Sequence, residues 1–221
     1  MRSADARSGT GRGRTSEVAL MQVPMFPLGT ALVPFQVLPL QVFEPRYRAL
    51  VADCLAADGR FAVVLIERGS EVGGGDVRFD VGTIARIVDS AELPGGRMAL
   101  VAVGEERMRV CRWLDDDPYP QALVIPLPDP EAEASELAAR PPLVAAFARV
   151  VELVRALGAE VPAELTLADD PIRAAWEATA MAPIGPLDVL AILREDDPRT
   201  RMERVTRALT DAAELLELRH G

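Results

Sequence analysis

Apart from one helical stretch near residues 45–57, apolar residues lie at strand-like spacing up to about residue 127 and at helical spacing beyond it. From Pro24 to Tyr47 the sequence reads PMFPLGTALVPFQVLPLQVFEPRY, with three apolar–proline clusters: Phe26-Pro27-Leu28, Val33-Pro34-Phe35 and Leu38-Pro39-Leu40. Proline gives no backbone N–H and fixes φ, so this many prolines among strand formers argue against a central strand. The stretch is expected to form edge strands broken by bends. A helix is predicted over Pro45 to Ala57, with proline at its first position and Glu44 over its positive N-terminus. Tyr47, Leu50, Val51, Cys54 and Leu55 recur at helical spacing and define its apolar face. Strands are then predicted at Phe61 to Ile66, Val81 to Val88, Met98 to Val103, Arg107 to Trp113 and Tyr119 to Leu127. A hairpin turn is expected at Leu93 to Arg97, a further turn at Gly104-Glu105-Glu106, and another at Asp115 to Pro118. Short strands with turns at this spacing suggest a small barrel or half-barrel.

The character changes at Pro128-Asp129-Pro130. Helices are predicted over Pro142–Leu157, Pro171–Met181, Pro186–Arg194 and Pro198–Arg219, each opened by a proline near its first position. Asp170 and Asp197 precede two of them as N-caps. Met202, Val205, Leu209, Ala212 and Leu216 form one stripe on the last helix, a face that packs on other helices. The fold class is therefore α+β, with a β-rich part over residues 21–128 and a helical part over residues 129–221. Residues 1–20 carry arginines but no apolar run after them, so they are expected to form a disordered arm rather than a secretory signal.

Composition removes several chemistries. The chain contains no lysine, and all 24 of its basic residues are arginine. A P-loop and a Ser–Lys protease site both need a lysine, and arginine cannot replace it because its guanidinium stays protonated. The one histidine is His220, next to the last residue, which argues against Ser–His–Asp, Cys–His and multi-histidine metal sites. No cofactor and no metal site are expected. A formal net charge of -10 weighs against a nucleic-acid partner. No apolar run reaches the roughly 20 residues that span a bilayer. Two distant cysteines, Cys54 and Cys111, fit a reduced cytoplasm, and both are expected to be buried and inert.

The motifs also recur in a recognisable order. Pro24–Tyr47 is followed by Val81-Gly82-Thr83-Ile84-Ala85, by the run from Gly96-Arg97 to Gly104 with Arg107 after it, and by Asp117-Pro118-Tyr119. The helical part contains Asp188-Val189-Leu190, Asp196-Asp197-Pro198 and Arg201-Met202-Glu203-Arg204. From Val23 to Leu216 the chain resembles the N-terminal substrate-binding domain of the ATP-dependent Lon proteases. The resemblance implies a PUA-like β-barrel or pseudobarrel followed by an α-helical bundle. It implies a role in engaging substrate proteins and in assembly. The sequence stops at Gly221, before any AAA+ or proteolytic domain, so the expectation is a free-standing, non-catalytic form.

The candidate peptide-binding residues are Val33, Pro34, Phe35, Val37, Glu44, Arg46, Tyr47 and Arg107. Between edge strands, Val33 to Val37 would be partly exposed and would hold apolar or unfolded polypeptide by side-chain burial or strand addition. The competing reading is that these residues close the end of the barrel. Glu44, Arg46 and Tyr47 would either bond an incoming backbone or simply fix the helix start. Arg107 and Arg109 alternate with Met108 and Val110, which predicts an outer, solvated strand face. Asp115 to Asp117 are read as a turn rather than an ion site, and Gly73 to Gly75 as a flexible loop. Trp113 and Trp176 are read as core or inter-part anchors. The leading function is a cytoplasmic adaptor or regulator that binds unfolded or apolar polypeptide, with a protease or chaperone as partner. The alternative is a PUA-like small-molecule or RNA binder using Arg46, Arg48, Arg107 and Arg109. The oligomeric state is left open.

Overall fold

The computed structural model describes residues 20–69, 75 and 77–220, without the side chains of the last two. The arm expected over residues 1–20, Leu20 apart, lies outside the described residues, as do Gly73, Gly74 and the side chain of His220. Six strands and five helices follow one another: β1 (Met21–Leu28), β2 (Val37–Val42), α1 (Pro45–Ala56), β3 (Arg60–Arg68), β4 (Val77–Leu93), β5 (Arg97–Trp113), β6 (Gln121–Leu127), α2 (Ala134–Ala156), α3 (Pro171–Met181), α4 (Pro186–Leu193) and α5 (Pro198–His220).

The strands form one mixed sheet in the order β2-β5-β4-β3-β1-β6, and β5 also pairs with β6. That last pairing closes a circuit of five strands and leaves β2 outside it, attached to β5 alone. Only β1 and β3 run parallel. Val23 and Met25 from β1, Ala62 and Val64 from β3, Ile84 from β4, Met108 from β5, and Ala122 and Val124 from β6 meet in one buried cluster, which fills the circuit. The alternate residues Phe61 and Val63 point the other way, into a second cluster with Tyr47, Leu50, Val51 and Cys54 of α1. Of the expected α1 face only Leu55 stays exposed.

β1 corrects the expectation of edge strands. It is flanked on both sides, yet it contains Pro24 and Pro27. The register explains this. Residues 21–24 pair only with β6, and residues 25–28 pair only with β3, so each half of the strand keeps one unpaired side for its proline. β2 is the true edge. The turn expected at Gly104 to Glu106 is absent, because β5 runs unbroken from Arg97 to Trp113 and changes partner from β2 to β6 along its length. Cys111 is exposed rather than buried, at a register shift between Val110 and Arg112.

The helical part starts earlier than expected. A reciprocal capping box between Glu133 and Glu136 opens α2 at Ala134, and the helix continues through Pro141 and Pro142. The tandem prolines resembled a helix start but lie within it. Asp170 caps α3 by accepting from the Arg173 backbone N–H at 2.7 Å, and Asp197 does the same for Thr200 on α5. The α5 stripe from Met202 to Leu216 is buried against α2, α3 and α4. Val33 from the loop between β1 and β2, with Leu65 and Val81 from the sheet, joins this same cluster, so the two parts share a core.

One pair of buried acids makes the fold sensitive to alkali. Burial, with Asp53 and Asp58 nearby, pushes the Cys54 thiol from 9.0 to about 12. Burial, with a 2.7 Å hydrogen bond to Asp53, pushes the Tyr119 phenol from 10.0 to about 12. The folded state thus holds both protons after the unfolded chain has released them. Their contribution is complete below about pH 9 and is lost as pH rises toward 12. Thermal melts between pH 8 and 11 should show a falling midpoint above about pH 9, and the fall should be shallower in a Cys54→Ala, Tyr119→Phe double variant.

Candidate functional site

The loop between β1 and β2 is tied down at several points. The Thr83 hydroxyl donates to Leu32 O at 2.5 Å, and the Val33 N–H donates to the Gln36 side chain at 3.1 Å. The Phe35 N–H donates to Gly104 O at 2.8 Å, and the Gly104 N–H donates to Gln36 O at 3.0 Å. Gly104 is needed for that approach, since a Cβ there would stand 2.3 Å from Val33 O. Val33 and Pro34 are buried, as the competing reading had it, and Val33 packs in the cluster shared by sheet and helices. Phe35 and Val37 are 43% and 59% exposed. Arg173 of α3 lies over the Phe35 ring, 4.8 Å from its centroid.

Beyond Phe35 the exposure follows strand alternation. Val37, Pro39 and Gln41 of β2 are exposed while Leu38 and Val42 are buried. Directly opposite on β5 are Val103, Val101 and Ala99, and Val101 and Ala99 face Asp89 and Ala91 on β4. The outer face of these three strands is therefore a mostly apolar strip. A groove of about 440 Å³ runs along it, lined by Pro39, Gln41, Asp89, Ala91, Ala99 and Val101. A second hollow of about 210 Å³ lies on the other side of β2, beside Phe26, Phe43, Glu44 and Tyr47. Phe43, 55% exposed, was not singled out from the sequence, nor were the β5 and β4 members of the strip. Period-two alternation marks the outward residues of β2, but nothing local says that β5 and β4 lie beside them.

Pro39 also qualifies the unpaired edge of β2. It pairs with Val101 but has no N–H, so the ladder direction it occupies is the outward one. An added strand would meet a missing donor at the middle of β2, which blunts strand addition and leaves side-chain burial as the better mode.

The remaining predicted residues sit elsewhere. Tyr47 is buried and stacks on Phe26 with ring centroids 4.2 Å apart. Glu44 precedes α1 without a side-chain capping bond and accepts from Arg46 Nε at 3.1 Å, while the Arg46 guanidinium lies over the Tyr47 ring. Arg107 is 3% exposed, not solvated. Its guanidinium donates to Leu193 O at 2.9 Å and Glu195 O at 3.1 Å, and it pairs with Asp129 and Asp196. Arg109 pairs with the same Asp196. The four arginines read as a patch thus do not form one: Arg107 is internal, Arg46 is held at α1, and Arg48 lies against the hairpin at Gly96. Among the described residues no cluster of metal-ligating side chains occurs, and no helix is long and apolar enough to cross a membrane.

Residues 22–211 match the family model described as the ATP-dependent protease La (LON) substrate-binding domain. The chain belongs to this family. A LON-family relative, Lon protease 2 of Herpetosiphon aurantiacus, is 30% identical over 213 residues, covering 93% of this chain and 26% of its own length. Lon protease of Escherichia coli K12 is 26% identical and covers 90% of this chain and 26% of its own. The chain thus spans about a quarter of the length of the LON relatives it matches. The crystal structure of a Lon N-terminal domain protein from Xanthomonas campestris superposes with a TM-score of 0.63 at 27% identity, covering 85% of this chain and 98% of that one. The N-terminal domain of a Mycobacterium avium complex Lon protease gives a TM-score of 0.66 at 18% identity, which shows the LON domain fold.

Proposed function

We propose that this chain recognises unfolded, apolar stretches of polypeptide, as the substrate-binding label of its family suggests, and does not itself cut them. The observation that carries this reading is the apolar strip over β2, β5 and β4, which stands open at the sheet edge, with the exposed Phe35 two residues before β2 in the chain. Exposed apolar strips of this kind are bound by side-chain burial. Phe35 and Val37 make the contact, the buried Val33 and Pro34 fix the loop that carries them, and Glu44, Arg46, Tyr47 and Arg107 stand away from the strip in structural roles. In this reading residues 21–128 are a PUA-like closed sheet and residues 129–221 a helical bundle that braces it. The absence of lysine from the sequence supports a non-catalytic role, as an adaptor or regulator serving a cytoplasmic protease or chaperone.

The test is fluorescence anisotropy with a permanently unfolded probe, reduced and carboxymethylated α-lactalbumin. Val37→Asp and Ala91→Asp change exposed positions on two different strands. Each should weaken binding by about ten-fold or more while the melting temperature stays unchanged. An unaltered affinity in both variants, or no binding by the parent chain, would sink the proposal.

A further inference from the structure

The loop from Leu157 to Asp170 leaves the end of α2 and runs back along it to the start of α3. Arginines of α2 tie it down at both ends. Arg155 Nη2 donates to Pro162 O at 2.5 Å and to Ala163 O at 3.3 Å, and Arg140 donates through Nε and Nη2 to Ala168 O at 3.2 and 2.8 Å. Between these clamps a slot of about 590 Å³ stays open. Arg140, Val144, Phe147, Val151 and Arg155 fall on one helical stripe, so the slot follows α2 for about 22 Å. Leu165 and Leu167 form much of the opposite wall. The lining is thus apolar along most of its length and cationic at its ends, and it shares no residue with the strip over β2, β5 and β4.

We infer that this slot binds a free long-chain carboxylate, with the alkyl chain along Val144, Phe147, Val151 and Leu165 and the head group on Arg155. The two ends differ in charge balance. Arg140 has Asp169 at 3.5 Å. Arg155 forms no ion pair among the described residues, and its Nε and Nη1 bond nothing there. The other carboxylate on the slot, Glu152, pairs with Arg149 at 3.5 Å. Arg155 thus brings spare donors and an uncompensated charge to the end of an apolar channel, which suits one anionic group. The volume lies in the range of small-molecule sites. Both clamps cross from wall to wall, so a flexible alkyl chain can lie on the floor while a helix, about 10 Å across, cannot.

Equilibrium dialysis with radiolabelled palmitate and dodecanoate, both below their micellar concentrations, tests this. Palmitate should bind, and dodecanoate should bind at least ten-fold more weakly, since each methylene left out of the slot weakens binding by up to about four-fold. Dodecyltrimethylammonium should bind at least ten-fold more weakly than dodecanoate, because its head group is a cation. Arg155→Gln and Ala148→Glu, the second at an exposed position on the slot, should each lower palmitate affinity by about ten-fold with little change in melting temperature. Val37→Asp, on the strip, should leave it unaltered. The inference is overturned if palmitate does not bind, if the cationic amphiphile binds as well as dodecanoate, or if Arg155→Gln and Ala148→Glu both leave palmitate affinity unchanged. Flotation with phosphatidylglycerol vesicles separates free acid from membrane lipid, and the parent chain should not float. Vesicle binding that Arg155→Gln abolishes, without binding of free palmitate, would assign the slot to membrane lipid and overturn the free-acid reading.

Discussion

Asp129→Ala should lower the melting temperature by about ten degrees or more. Asp129 is the anion between two buried cations. Its Oδ1 accepts from Arg201 Nη2 at 2.5 Å and lies 3.6 Å from Arg107 Nη2, while its Oδ2 accepts from Trp176 Nε1 at 2.5 Å. Arg201, Arg107 and Trp176 are 1%, 3% and 0% exposed, and both guanidiniums lie over the indole. Burial holds the Arg201 guanidinium below its ordinary range, Asp129 opposes that shift, and Arg107 adds to it. Neither Nε finds an acceptor among the described residues, so the cluster has no spare anion to offer. Asp196, the other carboxylate near Arg107, is largely solvated. Removing Asp129 leaves two like charges facing each other in the core, a change that typically costs about 3–5 kcal/mol. Asp129→Asn keeps the shape but not the charge and should lose somewhat less. Adding Arg201→Met to Asp129→Asn removes one stranded cation, so the double variant should be more stable than the sum of the single losses. A melting series with these variants reads the coupling directly. Additive losses would show that Asp129 acts through Trp176 alone.

This cluster was not visible in the sequence. Arg107 lies in an alternating run, Arg-Met-Arg-Val, which by period alone belongs on a wet strand face. Its burial comes from the Leu193–Asp196 turn, 86 or more residues away in the chain, whose carbonyls cap it. No local pattern encodes that meeting. By contrast, α3, α4 and α5 were legible because each combines a proline at its start with a continuous apolar stripe, and two also carry an aspartate cap. α2 was legible only in part, because the prolines inside it imitate the start signal of its neighbours.

The candidate surface divides in the same way. The stretch from Val33 to Val37 was marked by its proline and aromatic residue, and Phe35 and Val37 are exposed. Which residues face outward depended on a backbone turn at Phe35 that only the Gly104 contact imposes. The rest of the strip is assembled from β5 and β4, whose small apolar residues carry no signal of their own. Gly104 shows the ambiguity most plainly. Next to two glutamates it reads as a turn, but within a strand it marks a place where another backbone comes close.

Gly82→Ala follows the same logic and should be the most damaging single methyl addition in the sheet. Gly82 lies on β4 opposite Val64 of β3, inside the closed circuit. A Cβ there would stand 2.1 Å from Val63 O and 2.9 Å from both Met108 Cε and Val64 Cγ1. The methionine end can swing aside, but the carbonyl belongs to the β3 backbone and cannot move without opening the β3–β4 ladder. Overpacking usually costs about 1–3 kcal/mol, and a clash with a fixed backbone oxygen lies at or above the upper end. Chemical denaturation of Gly82→Ala should therefore show a loss of about 3 kcal/mol or more. In Gly104→Ala the new Cβ meets the Val33 carbonyl oxygen at 2.3 Å, but that oxygen is on the 29–36 loop rather than in a ladder. Lifting the loop breaks its hydrogen bonds and shifts Val33 but opens no ladder, so the expected loss of stability is smaller, while polypeptide binding should fall because Phe35 moves with it. Comparing the two variants by denaturation and by anisotropy separates the glycine that the circuit needs from the glycine that positions the surface. Equal losses in both measurements would show that the loop is as rigid as the sheet and that the two glycines share one structural role.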